Sequence, residues 1–265
     1  VNKLIFGFKE YFFLLYMTSY GFIFSRHIKN EKDAQYWYES YKSIRTFYPN
    51  IKIIIIDNNS DYNYINKELE IINCDIIQSD FQDAGYFCCY YYFNKHKWFD
   101  KAIIIHDTIF INTFISFDDI DDIIFLWHFT NHQCDNVFNE RFLLSKLSNN
   151  YNILELHNIK HLWNGCFGMT SVITYDFLER LVIKYNLFNM LPFVNKRCYR
   201  LDMERVFGLI CTYEKPSLIN KSSLFDLHAK ILPGDYSYTS YKNDKLNGIF
   251  NDKEKYRMIK VYGGR

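Results

Sequence analysis

Three short apolar runs, each closed by a polar tip, constrain this chain more than any other feature. Gly21 to Arg26 reads GFIFSR, Ile51 to Ile56 reads IKIIII, and Lys101 to Ile105 reads KAIII. Runs that stay apolar at nearly every position belong to strands covered on both faces, as in a parallel sheet. The first run closes in Ser25-Arg26-His27, the second in Asp57-Asn58-Asn59, and the third in His106-Asp107-Thr108. Cys74 to Gln78 (CDIIQ) repeats the pattern weakly. Ala34, Trp37, Tyr38, Tyr41, Ile44 and Tyr48 fall at helical spacing, with Asn30 as a cap and Pro49 beyond the end. The stretch from Asp83 to Trp98 predicts a second helix, with Asp83 near its start. Alternating strands and helices begin a doubly wound α/β sheet. Ligands of such sheets bind beyond the carboxyl ends of the strands, where all three polar tips lie.

The second half is less regular. Ile123 to Phe129 (IIFLWHF) predicts one strand, and Trp163 to Gly168 is a glycine-bearing segment leading into a strand at Met169 to Ile173. Asp176 to Tyr185 and Asp202 to Tyr213 predict helices. The tail from Asp235 is polar, with one apolar stretch at Met258 to Val261. With no internal repeat and no linker, the 265 residues are expected to form one domain, 1–265.

Charge narrows the partners. Lys+Arg at 31 nearly cancel Asp+Glu at 30, and no basic stripe offers the phosphate contacts on which nucleic-acid affinity depends. Nucleic acid is therefore not an expected partner. Aromatic residues reach 20%, but Ile, Asn, Lys, Tyr and Phe, all with A/T-rich codons, crowd the chain together while alanine occurs only at 34, 84, 102 and 229. The aromatic excess then follows base composition as well as it follows any ring-stacking ligand. Seven cysteines without a CxxC pair indicate reduced thiols and a cytoplasmic setting. Tyr11 to Phe24 is apolar over only 14 residues, short of the ~20 that span a bilayer.

Several residues have chemistry beyond packing. Asp107, at a buried strand's tip, suits an oxygen-preferring cation such as Mg²⁺ or Mn²⁺, or merely caps the following turn. Asp57 either binds ribose or base, or merely closes the turn that Asn58 and Asn59 announce. Asp202 and Glu204, in LDMERVFG, sit at the start of the predicted helix, where the helix dipole alone favours acids; one of them is otherwise a candidate general base. His128 with His132 and Cys134, and His157 with His161, imitate zinc spacing without an acidic partner. His228, in FDLHAKI, is unassigned by its neighbours alone.

Taken in order, FIFSRHIKNEKDAQYWY (Phe22 to Tyr38), IIIIDNNS (Ile53 to Ser60), FDKAIIIHDTIFIN (Phe99 to Asn112), WNGCFGMTSVI (Trp163 to Ile173), RLDMERVFG (Arg200 to Gly208) and KVYGGR (Lys260 to Arg265) resemble GT-A type glycosyltransferases. The resemblance is to a poorly characterised group encoded by large DNA viruses, which implies the cytoplasm of a host cell. It implies a mostly parallel α/β sheet flanked by helices, with a nucleotide-binding half at about 18–115 and an acceptor half at about 116–265. It further implies a nucleoside-diphosphate sugar as donor, a glycan or protein as acceptor, and inversion with a carboxylate base. On this resemblance Ser25, Arg26 and Asp57 line the nucleotide pocket. His106 and Asp107 stand at the diphosphate and its Mn²⁺ or Mg²⁺, and Gly165 to Gly168 lie beside the donor sugar. Glu204 or Asp202 is the base, His228 completes the metal site, and Arg265 approaches the diphosphate. The motif His-Asp-Thr departs from the family's Asp-x-Asp by one carboxylate, which leaves Arg26 and Lys260 as cations that could replace the metal. A sugar-phosphate nucleotidyltransferase would need an early glycine-rich phosphate loop, which is absent. A non-catalytic GT-A module that binds nucleotide or glycan is the remaining alternative.

Overall fold

The computed structural model describes residues 19–65, 70–81, 83–130, 135–225 and 236–263. His132, Cys134, His228, Arg265 and most of the Tyr11 to Phe24 stretch lie outside these. The strands are β1 (Tyr20–Arg26), β2 (Ile53–Asp57), β3 (Cys74–Gln78), β4 (Lys101–His106), β5 (Ile109–Ile111), β6 (Ile123–Phe125), β7 (His128–Phe129), β8 (Gly165–Cys166), β9 (Ser171–Thr174) and β10 (Met258–Lys260). The helices are α1 (Glu31–Phe47), α2 (Phe87–His96), α3 (Val137–Leu144), α4 (Tyr151–His157), α5 (Tyr175–Tyr185), α6 (Arg197–Glu214) and α7 (Tyr238–Leu246).

The central sheet runs β3-β2-β1-β4-β9-β6. The first four strands are parallel, and β9 pairs antiparallel with both β4 and β6. This is the mostly parallel, helix-flanked α/β sheet expected. The apolar runs explain its layers. Phe22, Phe24, Ile53, Ile55, Ile103 and Ile105 face Trp37, Tyr41 and Ile44 of α1. Their neighbours Ile23, Ile54, Ile56 and Ile104 face the other way, onto α2, α5 and α6. Each buried isoleucine contributes about 1.5–3 kcal/mol. β3 is the edge, and its half-exposed residues explain the weak pattern of CDIIQ.

Three expectations are corrected. The helix predicted from Asp83 begins at Phe87, because Asp83 and Gly85 hold left-handed φ of 60° and 59° that no α-helix admits. IIFLWHF is two strands. Its Leu126 N–H donates to Thr170 O and its Trp127 O accepts from the Phe167 N–H, so the chain leaves the sheet there and pairs with β8. The helix predicted from Asp202 begins five residues earlier, at Arg197, with no side chain capping it at Lys196.

The tail forms a small third core. Tyr36 of α1 and Phe110 of β5 pack with Tyr238, Tyr241, Phe250 and Tyr256. Antiparallel pairing of β10 with β5 then sets Lys260 opposite Ile109, close behind the tip of β4. Among the described residues, no helix is long and apolar enough to cross a membrane.

Candidate functional site

From β1 the chain steps to β2 on one side and later returns to β4 on the other, so the order reverses between β1 and β4. A parallel sheet opens a crevice beyond its strand ends at such a switch point. Register places Ser25 beside His106 and Arg26 beside Asp57, so the three polar tips converge as the sequence implied.

Their roles within the crevice differ. Arg26 and Asp57 are fully buried and joined by Nη2 to Oδ2 at 2.5 Å and Nε to Oδ2 at 2.7 Å. The guanidinium lies over the Trp37 ring at 4.9 Å, and Asp57 Oδ1 also accepts from the Ser60 N–H at 3.0 Å. The pair spends its charge on itself and braces the two tips. Arg26 Nη1 nonetheless has no hydrogen-bond partner, a buried donor left over.

His106 is the hub. Lys260 Nζ lies 2.6 Å from its Nδ1, and its Nε2 lies 2.5 Å from Gly168 O. An ammonium only donates and a carbonyl only accepts, so Nδ1 is the acceptor and the ring proton sits on Nε2. The Tyr86 ring stacks on the imidazole at 3.3 Å and 10°. Gly168 has φ of 63°, and a Cβ there would come within 2.6 Å of His106 Cε1, so only glycine fits.

Glu204 enters the same place from α6. Burial, opposed by Arg205, Lys260 and a backbone hydrogen bond from Gly168, pushes its carboxyl up from 4.5 to about 7, although the residue keeps partial exposure. Such a group is half ionised near neutrality and exchanges a proton there at little cost.

Asp202 does not join it. Residues two apart on a helix point about 200° apart. Asp202 is buried on the other side of α6, where its Oδ2 accepts from Asn139 Nδ2 at 2.9 Å. Burial raises its pKa, with Glu140 and Asp135 adding to the rise while Asn139 and Arg205 oppose it. Since α6 starts at Arg197, neither acid occupies its first turn, and dipole stabilisation does not account for them.

The remaining candidates are placed as follows. Asp107 is buried at the tip of β4. Among the described residues no three His, Cys, Asp or Glu side chains assemble as a group that could hold a metal ion. Gly165 is a packing glycine. A Cβ there would strike the Phe129 ring, and a Cβ on Gly208 of α6 would strike Asn164 O. The zinc look-alikes are separate. His157 ends α4 and lies 2.5 Å from Glu140 Oε2, while His161 belongs to a 3-10 turn, Lys160–Leu162. His128 Nδ1 is 2.6 Å from Ser223 Oγ.

Sequence reasoning missed one buried group, in which Asp135 and Glu140 surround Arg205, His157 and Lys160. These residues are scattered from 135 to 205, and no spacing rule joins them.

Solved structures with a similar arrangement exist at low identity. One, titled S. aureus TarS 1-349, is 13% identical over 35% of this chain and 28% of that one, with a TM-score of 0.27. A second TarS structure matches the same 35% but only 17% of its own length. The galactosyltransferase LgtC, in complex with donor and acceptor sugar analogs, is 9% identical over 92% of this chain and 87% of that one, with a TM-score of 0.43. The chain thus spans less than a third of the TarS chains. No protein-family model matches it, and no curated protein does. At such scores the likenesses leave the function to the residues themselves.

Proposed function

We propose that the protein is a glycosyltransferase that moves a sugar from a nucleoside-diphosphate sugar to an acceptor hydroxyl. The observation that carries this reading is a carboxyl with a near-neutral pKa, Glu204, beside the Lys260–His106 pair at the sheet's switch point. Sugar transfer needs a base for the acceptor proton and positive charge for the departing diphosphate. Glu204 takes the proton, and the Lys260 ammonium faces the developing phosphate charge. His106, held in one tautomer by Gly168 O, fixes the ammonium through Nδ1. The nucleoside lies over Ser25 and the tips of β1 and β2 that the Arg26–Asp57 pair braces. Inversion follows if the acceptor approaches from the Glu204 side, opposite the leaving group.

A thermal-shift series with nucleoside diphosphates tests the donor half of this reading. Ligand at a hundredfold excess over its Kd adds about 2.7 kcal/mol to stability. One diphosphate is expected to raise the melting temperature while its nucleoside does not. Indifference to every diphosphate would remove the proposal. Binding without turnover would instead favour a GT-A-like binding module, a reading supported by the single carboxylate of His-Asp-Thr.

A further inference from the structure

An open surface cavity of about 540 Å³ lies between the loop after β3 and the segment leading into α6. Its volume falls within the roughly 300–1,000 Å³ of small-molecule sites. Asp80, Asp83, Asn195 and Lys196 line it, with Phe81 and Pro192 supplying apolar faces. We propose that this cavity holds the body of the acceptor, a neutral saccharide, while the reacting hydroxyl reaches Glu204. This rests on the glycosyltransferase reading and gives its acceptor a place and a chemistry.

Position argues first. Arg200 and Glu204 follow one another at i, i+4 along one ridge of α6, and Lys196 is the residue just before its start. Seven residues of helix, Arg197 to Met203, separate the cavity wall at Lys196 from Glu204, roughly 12 Å along the axis. The loop from Asp83 to Tyr86 bridges the same gap. Its Asp83 O accepts from Arg200 Nη1 at 2.9 Å, and its Gly85 approaches Arg200 so closely that a Cβ would sit 2.6 Å from Cδ. Its Tyr86 stacks on His106. The Asp83 N–H donates to Asn58 Oδ1 at 3.1 Å, which ties the loop to the tip of β2. The loop therefore links the cavity lining at Asp83 to His106, beside the place that Glu204 enters.

Chemistry argues second. Two carboxylates that only accept, an amide that does both and an ammonium that only donates match the hydroxyls of a sugar. Phe81 and Pro192 match its C–H face. Two negative charges against one positive disfavour an anionic ligand.

The test is a titration of maltotriose, cellotriose and chitotriose, with sialyllactose as the anionic comparison, into protein saturated with the nucleoside diphosphate that raises its melting temperature. At least one neutral trisaccharide is expected to bind, and sialyllactose to bind more weakly. Asp80→Asn/Asp83→Asn keeps the left-handed Asp83 position, which asparagine tolerates, and Asn195→Trp fills the cavity from an exposed residue. Each is expected to lower trisaccharide affinity at least tenfold while the melting shift with the diphosphate stays unchanged. Unchanged trisaccharide affinity in both variants would overturn the proposal. So would failure of all three to bind a protein that still binds the diphosphate, or loss of both responses together. Trisaccharide binding through the cavity in a protein indifferent to every diphosphate would instead keep the cavity and remove the glycosyltransferase reading.

Discussion

Glu204→Gln is the substitution that exposes the site's energetics most clearly. The folded protein keeps the Glu204 proton up to about pH 7, whereas an ordinary glutamate loses it near 4.5. Between those values the folded state binds more protons than the unfolded chain, so this group's stabilisation fades as pH rises. The difference of about 2.5 units corresponds to at most about 3 kcal/mol of strain above pH 7, at about 1.4 kcal/mol per unit; partial exposure of the residue lowers the figure. Glutamine cannot ionise, so the variant is expected to be more stable than the parent at pH 8 and equal to it below pH 4.5. For a chain of this length, roughly 2–4 °C per kcal/mol puts the gain at pH 8 at about 6–12 °C or less. Melting curves from pH 4 to 8 measure it. Transfer should meanwhile fall by roughly 10²–10⁴, the usual worth of a general base. Stability gained and activity lost in one variant is the mark of a strained catalytic group. A variant no more stable than the parent at pH 8 would refute the reasoning, because the carboxylate would then be comfortable where it sits.

Lys260→Met should weaken nucleoside-diphosphate binding by roughly 10- to 100-fold, from the loss of one charged hydrogen bond of about 1.5–3 kcal/mol; calorimetry reads it directly. Arg26→Met leaves Asp57 charged and buried without its partner, and chemical denaturation should show a loss of about 3–5 kcal/mol. Gly168→Ala forces a side chain into a left-handed site against His106, and should cost about 1–3 kcal/mol together with most of the activity.

The parallel half of the sheet was legible because Ile53 to Ile56 and Lys101 to Ile105 leave a strand no exposed face. The convergence of the tips was legible too, as a consequence of parallel strands. The direction of β9 was not. SVIT reads the same either way, and its antiparallel pairing with β4 is settled by tertiary contacts. The start of α6 escaped notice because Lys196 caps nothing and the first turn holds Arg197 and Arg200 in place of acids. Asp202 and Glu204 stayed ambiguous as a pair, yet helical geometry separates them once both lie inside one helix. Arg26 and Asp57 were read singly as ligand contacts. Their mutual pairing depends on the register of β1 against β2, which no local pattern encodes. Lys260 was visible as an available cation, but its delivery to His106 depends on the tyrosine-rich tail core, which the polar composition of the tail concealed.

The central claim is that Glu204 and Lys260 serve transfer of a sugar from a nucleoside-diphosphate donor. Release of free nucleoside diphosphate from a panel of such sugars, followed in the presence of maltotriose, cellotriose and chitotriose, tests it most directly. At least one donor is expected to release its diphosphate with glycosylated acceptor as co-product, and Glu204→Gln is expected to abolish the release while still binding the nucleotide. No release from any donor, or undiminished release by Glu204→Gln, would contradict the account.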